Sequence, residues 1–345
     1  MATYQPQSIL VTGGAGFIGS NFVCKIVEEH PDIRVVNLDL LTYAGNLDNL
    51  DGIAGAPNHV FVKGDILDAA LVSDLLEKHE IDSIVHFAAE SHVDRSITGP
   101  AVFVETNVTG SLTLLRCAAA CGRVQRFVQV GTDEVYGALA LDSPLKFRED
   151  SPVAPRSPYS ASKAAADFVA LAWHHTYGLP VLVTRSSNNY GPRQFPEKLI
   201  PLMIHSAMND KPLPVYGDGL YVRDWIYVRD NCAAIWSVLT RGRVGEVYNI
   251  GANGERPNIE VVRTILAQLG KPPSLIRHVE DRPGHDRRYA IDGTKIRTEL
   301  GWAPEMDFDA GIRHTIEWYS ANRRWLERIA SGAYRRRNEA ATGGA

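Results

Sequence analysis

The sequence predicts an α/β protein: a Rossmann-type doubly wound parallel sheet with a smaller C-terminal substrate-binding α/β lobe. Three observations carry this. Short β-branched runs alternate with helix-length segments through the first half of the chain. A glycine-rich turn joins the first of these runs to the first helix. After about residue 188 the pattern loosens into short, proline-punctuated elements. Strands alternating with helices imply a parallel sheet covered on both faces.

In chain order, residues 8–12 read as a buried strand, followed by Gly13, Gly14, Gly16 and Gly19 and a helix at 21–29. These glycines satisfy both G-x-G-x-x-G and G-x-x-G-x-x-G. They permit a tight turn and close backbone approach to a pyrophosphate, while the helix N-terminus offers free N–H groups to its charge. Alone, the motif fits a purely structural turn equally well, and its context decides. A second strand at 34–38 leads to Asp39, placed to accept both hydroxyls of an adenosine ribose and to repel a 2′-phosphate; this favours NAD over NADP. A third strand at 60–62 leads into Gly64, Asp65 and Ile66, where an adenine edge could rest. A helix at 71–79, a strand at 83–87, a long helix at 102–120 and strands at 126–130 and 181–184 complete a first domain set at residues 1–187. Residues 188–325 form the second lobe, punctuated by Pro192, Pro196, Pro201, Pro212 and Pro214, with a turn at Gly217 and Gly219. Residues 326–345 read as a tail in which Arg335, Arg336 and Arg337 are solvated. The ligand cleft belongs between the lobes, at the carboxyl ends of the strands.

Composition narrows the function classes. A chain of 345 residues with 45% hydrophobic and 22% charged residues is of ordinary globular type, holding two domains or one large one. A net charge of -4 gives no electrostatic footprint for nucleic acid or an acidic membrane. The polar start runs directly into a strand, so no secretory signal is expected, and no apolar run approaches the roughly 20 residues of a membrane helix. Cys24, Cys117, Cys121 and Cys232 form no C-x-x-C and fit reduced, structural thiols in a cytoplasmic protein. His174 and His175 are adjacent and point apart, so no metal is expected.

Two short strings carry the chemistry. Tyr159 and Lys163 are four apart on a predicted helix, hence on one face, with Pro158 suited to its first turn. That pair can remove a hydroxyl proton while a nicotinamide accepts the carbon-bound hydride. Tyrosine ordinarily titrates near pH 10, so ionisation at about pH 7 requires roughly 4 kcal/mol of stabilisation, for which Lys163 and the positive nicotinamide are the sources. Thr132, Asp133 and Glu134 follow the strand at 126–130 and so face the cleft. Thr132 can hold a sugar oxygen. Once carbon 4 of a hexose is a ketone, Glu134 can remove the acidified proton of carbon 5, and a protonated Asp133 can donate to the departing carbon-6 hydroxyl. Adjacent carboxyls split in pKa, because both resist ionising together. Oxidation, elimination of water and re-reduction in one pocket is the chemistry these groups suggest.

The strings resemble the extended branch of the short-chain dehydrogenase/reductase superfamily, and within it the dTDP-glucose 4,6-dehydratase family. The resemblance rests on Gly131-Thr132-Asp133-Glu134-Val135-Tyr136-Gly137, Leu41-Thr42-Tyr43-Ala44-Gly45-Asn46-Leu47, Ala88-Ala89-Glu90-Ser91-His92-Val93-Asp94-Arg95-Ser96, Asn188-Asn189-Tyr190-Gly191-Pro192 and Asp281-Arg282-Pro283-Gly284-His285-Asp286. It spans residues 8 to about 320, with no departure at a motif position. It implies a homodimer with tightly held NAD that turns dTDP-glucose into dTDP-4-dehydro-6-deoxy-glucose and water. Tyr159 would be the base for the 4-hydroxyl with Lys163 beside it; Asp133 would be the acid, Glu134 the base, and Thr132 would bind the 4-oxygen.

The resemblance also implies contacts. Besides Gly13, Gly16 and Gly19, the cofactor would touch Phe17, Ile18, Asp39, Leu40 and Thr42. Further along it would meet Asp65, Ile66, Phe87, Ala88, Ala89 and Ser91, then Thr106, Tyr159, Lys163 and Asn189. The nucleotide sugar, held largely by residues 188–325, would touch Ser91, Thr132, Asn188, Lys198, Leu199 and Pro214. It would also meet Tyr216, Arg223, Asn258, Arg282 and His285. Arg223 and Arg282 suit a pyrophosphate, and Tyr216 offers a ring or hydroxyl to the base. Segments near 224–229 would return to the first domain, and helices at 102–120 and 160–174 would pack across a two-fold axis as a four-helix bundle. The alternatives within the branch are a UDP- or GDP-sugar 4,6-dehydratase, a 4-epimerase and a UDP-glucuronate decarboxylase. Neither of the last two needs an acid for a leaving hydroxyl. Outside it stands a catalytically inactive NAD-binding regulatory module, which should have lost one of Asp133, Glu134, Tyr159 or Lys163.

Overall fold

The computed structural model describes residues 3–281 and 286–340. Arg282 and His285 lie outside the described residues. Twelve strands run through the described residues. β1 (Ser8–Thr12), β2 (Arg34–Asp39), β3 (His59–Lys63), β4 (Ser83–His86), β5 (Arg126–Thr132) and β6 (Val181–Ser186) precede β7 (Asn188–Tyr190). β8 (Leu213–Tyr216), β9 (Val222–Tyr227), β10 (Val247–Ile250), β11 (Glu255–Pro257) and β12 (Ile276–Val279) follow. Seven of them form one parallel sheet in the order β10-β6-β5-β4-β1-β2-β3.

β1, β4 and β6 are buried along their whole length because helices cover both faces, and alternate side chains serve alternate layers. Ile9, Val11, Val35 and Val128 pack with Phe22 and Ile26 of the helix Phe17–Glu29 and with Ile235 and Leu239 of the helix Val228–Arg241. Leu10, Val36, Ile84 and Phe127 face the other way, onto Leu75, Leu114 and Leu115. The strand order reverses between β1 and β4, which opens the crevice at the carboxyl ends of these strands.

The second lobe has its own core, in which Ile204, Val215, Val262, Ile265, Ile312 and Tyr319 meet. Two small sheets belong to this half of the chain, β11-β9-β7 and β12-β8. The chain does not pass once from lobe to lobe. After β9 the helix Val228–Arg241 packs on the first layer, and β10 pairs with β6 at the edge of the large sheet.

The structure departs from the expected elements in two places. The single helix expected at 102–120 is a helix Pro100–Val104, a π-helical turn Glu105–Gly110 and a helix Ser111–Cys121. The wider turn includes Thr106 at the wall of the cleft, and periodicity does not distinguish one extra residue per turn. Toward the C-terminus, where a free tail was expected, Arg323–Ala330 and Ala333–Ala340 are helices whose Trp325, Leu326, Ile329 and Tyr334 join the second core. Arg337 of the expected solvated triplet pairs with Asp48 and Asp51. Four apolar residues scattered among arginines make a stripe too short to read as periodic.

His86 closes β4 inside the sheet. It is 1% exposed, with its ring nitrogens on the hydroxyls of Thr12 (2.7 Å) and Ser111 (2.9 Å). Burial, helped by the Lys163 charge, pushes its pKa down to about 3. The unfolded chain therefore takes up a proton near pH 6.5 that the folded chain refuses until about pH 3. Stability from this group is present above pH 6.5 and is lost on acidification, by roughly 1.4 kcal/mol per pH unit across that window. Urea unfolding between about pH 6 and 4 should show this slope and lose it in His86→Gln; equal slopes would refute the assignment.

Candidate active site

β1 ends at Thr12 and the chain turns at Gly13, whose φ of +73° lies in the left-handed region that a side chain rarely adopts. A Cβ on Gly13 would stand 2.6 Å from the backbone nitrogen of Ala88, and one on Gly19 2.2 Å from the carbonyl oxygen of Gly13. Backbone against backbone leaves no room to yield, so the glycines are required by the close approach of the turn to β4 and to its own helix. Gly16 then sits at the N-cap of the helix Phe17–Glu29, with no side chain capping its free N–H groups. Asp39 receives the backbone N–H of Ala15 at 2.9 Å and of Leu41 at 2.8 Å, which ties the ends of the cradle together.

An open cleft of about 1320 Å³, part of it continuous with solvent, runs from this turn along the carboxyl ends of β2, β3, β4 and β5. Spanning the ends of four neighbouring strands, it has the extended shape that a dinucleotide requires. Its wall brings together Gly13, Gly16, Phe17, Ile18 and Gly19 with Asp39, Leu40 and Thr42. Asp65, Ile66, Phe87, Ala88, Ala89 and Ser91 continue it, and Thr106, Tyr159, Lys163 and Lys198 line its far side.

β5 delivers Thr132, and Asp133–Tyr136 follow as a 3-10 turn. The Thr132 hydroxyl caps that turn by accepting the Glu134 N–H at 3.3 Å, so neither carboxyl is used as the cap. Asp133 is 2% exposed, and its Oδ2 has no hydrogen-bond partner. Burial first, then the charges of Glu134 and Asp224, raise its pKa well above the ordinary carboxylate range against a weaker pull from Arg223. Its proton is therefore held at pH values where an exposed aspartate has lost it.

The helix Pro158–Tyr177 begins with Ser157 and Ser160 in a reciprocal capping box and with Pro158 in its first turn. Tyr159 and Lys163 are both buried on it. Burial and the Glu134 charge push the Tyr159 hydroxyl above its ordinary range, with Thr132 pulling the other way. The Lys163 ammonium donates to the carbonyl oxygen of Val130 at 2.7 Å. Its pKa is lowered by burial and supported by Asp167.

Asp167 is a charged neighbour of Lys163 that the motifs did not single out. It lies four residues beyond Lys163, so Tyr159, Lys163 and Asp167 continue one stripe, and that spacing is legible in the sequence. Asp167 and Arg185 form a bridge of 3.0 Å with both side chains buried. Removing one partner strands the other charge. Asp167→Ala should cost about 3–5 kcal/mol in urea unfolding, and a loss under 1 kcal/mol would contradict the pairing.

Other predicted residues lie away from the cleft wall. Asn189 is on β7, where its side-chain amide donates to the Ser187 carbonyl (3.0 Å) and its backbone carbonyl accepts from the side chain of Gln194 (2.9 Å), itself a wall residue. Asn188 precedes it on the same strand, and Leu199 opens the helix after Lys198. Pro214 and Tyr216 are on β8, and Asn258 starts the helix after β11. Arg223 is buried beneath the site, donating to the Asp286 carbonyl at 2.8 Å with its guanidinium 4.3 Å from the Tyr289 ring centre. The wall also includes Tyr43 and Glu90, which lie inside two of the matching strings but carry no contact expected from sequence, and Phe195 and Glu197, which no local pattern distinguishes. Among the described residues no cluster of His, Cys, Asp or Glu could hold a metal ion.

Comparison with known proteins agrees with this geometry. A family model described as GDP-mannose 4,6 dehydratase matches residues 10–315. A dTDP-glucose 4,6-dehydratase of Xanthomonas campestris pv. campestris is 56% identical, covering 94% of this chain and 97% of the relative. The chain belongs to the dTDP-glucose 4,6-dehydratase family. Among solved structures it is similar to the dTDP-glucose 4,6-dehydratase of Bacillus anthracis in complex with NAD. The TM-score is 0.88 at 50% identity over 94% of this chain and 99% of the other. The UDP-glucose 4-epimerase of Thermotoga maritima, with UDP-glucose, has a TM-score of 0.84 but only 30% identity, over 91% and 99% of the two chains. The dehydratase and the epimerase thus share the fold of this chain, and the higher identity lies with the dehydratase.

Proposed function

We propose that the protein converts dTDP-glucose to dTDP-4-dehydro-6-deoxy-glucose and water with bound NAD. The observation that carries this is Asp133: a buried carboxyl whose Oδ2 has no hydrogen-bond partner and whose pKa burial raises, beside Glu134 and within the electrostatic reach of Tyr159. Bound NAD would supply the acceptor for the hydride of carbon 4 and return it at carbon 6. The glycine cradle, the helix N-terminus at Gly16 and the acid at Asp39 fit a dinucleotide without a 2′-phosphate.

The remaining steps belong to this chain's residues. Tyr159 takes the proton of the 4-hydroxyl while Thr132 holds the oxygen. Because burial and Glu134 oppose the phenolate, Tyr159 depends on positive charge nearby, and an uncharged Asp133 keeps that requirement from growing. With carbon 4 oxidised, Glu134 removes the carbon-5 proton and Asp133 gives its proton to the leaving carbon-6 hydroxyl. Glu134 then returns its proton to carbon 5. The proton gained at Tyr159 equals the one lost at Asp133, so transfer between them resets the site and the net loss is one water.

The family name of the relatives supports dTDP-glucose over UDP- or GDP-sugars. A homodimer is part of the same proposal. Val102, Val104 and Phe168 are each about half exposed on the packed helices Pro100–Val104 and Pro158–Tyr177, and a second copy would cover them. No helix of the described residues is long and apolar enough to cross a membrane. The four thiols are free, as suits a reducing cytoplasm.

Incubation with dTDP-glucose and no added NAD tests the reading. The expected product has lost one water, gives the alkali-induced absorbance of a 4-keto-6-deoxy sugar, and leaves no net NADH. Turnover of UDP-glucose or UDP-glucuronate with none of dTDP-glucose would overturn the substrate assignment.

A further inference from the structure

The wall of the cleft between β2 and the 3-10 turn Leu47–Ile53 is a loop at 40–46 that supplies Leu40, Thr42, Tyr43 and Gly45. It begins under strain, since Leu41 has a φ of +59°, in the left-handed region unfavourable to a leucine. Such a backbone persists only where its surroundings over-determine it. Much of what surrounds it comes from the C-terminal helices.

The Tyr334 hydroxyl donates to the Tyr43 carbonyl at 2.7 Å, and the Asn338 amide to the Gly45 carbonyl at 2.7 Å. The Asn338 side-chain oxygen receives the Leu47 N–H at 3.3 Å, and its backbone carbonyl receives the Lys63 ammonium at 3.1 Å. Arg328 pairs with Asp48 at 2.6 Å, and the Trp325 indole donates to Asn49 at 2.9 Å. Asn49 in turn donates to the carbonyl of Ala15 inside the glycine turn at 2.8 Å. Tyr334 also meets Phe195 edge-on, and Phe195 meets Tyr43 in the same way. Tyr334 and Asn338 are 2% and 4% exposed, so these bonds are shielded from water.

We infer that residues 323–340 are a clasp that fixes the loop at 40–46 against the adenosine half of bound NAD and sets how slowly the cofactor leaves. Tyr334 and Asn338 act as positioning residues: they reach the cofactor only through the backbone of Tyr43 and Gly45. The inference rests on reading the cleft as the NAD site. It gives a structural reason for cofactor retention through a cycle that consumes no NAD, because release requires the loop to shift and the loop is bonded from behind.

The test uses the full-length protein with Tyr334→Phe, which keeps the ring and removes one donor, and separately Asn338→Leu, which keeps the branched shape and removes the polar atoms. Glu327→Ala, exposed on the preceding helix Arg323–Ala330, is the control. Measured are the NAD content after gel filtration, the rate of NAD release into a trapping enzyme, and the melting temperature of NAD-stripped protein. Expected is a release rate raised about tenfold in Tyr334→Phe and more in Asn338→Leu. Turnover with saturating added NAD should be restored to the parent's, and the stripped variants should still unfold in one cooperative transition, lowered only by the loss of the buried bonds. Unchanged release in both variants overturns the clasp, as does equally fast release from Glu327→Ala or the absence of a cooperative transition in the stripped variants. A parent that binds no NAD at all would instead overturn the cofactor reading, and the clasp with it.

Discussion

Tyr159→Phe should lower the rate of the first hydride transfer by about 10²–10⁴-fold, the usual contribution of a positioned proton acceptor. The substitution removes one oxygen and keeps the ring, which is packed edge-on against Phe103 with centroids 6.4 Å apart, so the fold is retained. Without an acceptor the 4-hydroxyl keeps its proton, and hydride departure would leave a protonated ketone. Mixing enzyme with dTDP-glucose and following NADH absorbance in a single turnover is the check. NADH appearing at the parent rate would remove the role given to Tyr159.

Asp133→Asn should act one step later and look different. The amide is uncharged, like the protonated acid it replaces, so the electrostatics around Tyr159 are preserved and oxidation at carbon 4 proceeds. It has no proton to give, and expulsion of the carbon-6 hydroxyl should slow by about 10²–10⁴-fold. NADH and the 4-keto hexose should therefore accumulate, which the parent never shows. The pH dependence follows from the direction of the shift. Burial raises the Asp133 pKa, so the acid is competent below that raised value and is lost as pH rises through it. The added negative charge then also opposes the Tyr159 phenolate. Turnover in the parent should fall on this alkaline limb, and the residual activity of Asp133→Asn should lack it. An alkaline limb of the same shape in both proteins, or dehydration by the variant at the parent rate, would exclude Asp133 as the acid.

Much of the site was legible because its parts are local. The glycine spacing, the acid closing the second strand, and a tyrosine and lysine four apart are patterns of adjacent residues. Asp167 was equally local, one more turn along the same face, and was passed over because a lone aspartate in a helix ordinarily faces water. The π-turn holding Thr106 was out of reach, since its one extra residue leaves no mark on apolar spacing. The positions of Asn189 and Arg223 show the other limit. Asn189 stands in a matching motif and Arg223 does not, and no local pattern carries the bond from the Asn189 side chain to the Ser187 carbonyl or the packing of Arg223 on the Tyr289 ring.

By itself the sequence determined the order of strands and helices in the first half of the chain, the glycine turn and the candidate reacting side chains, because hydrophobic period and residue chemistry are written along the chain. Tertiary structure alone decided that Asp133 keeps its proton, since that depends on exclusion of water and on Asp224 arriving from β9. It alone decided that helices at the C-terminal end close over the loop at 40–46. Desolvation and long-range contact belong to the assembled volume, and no window along the chain contains them.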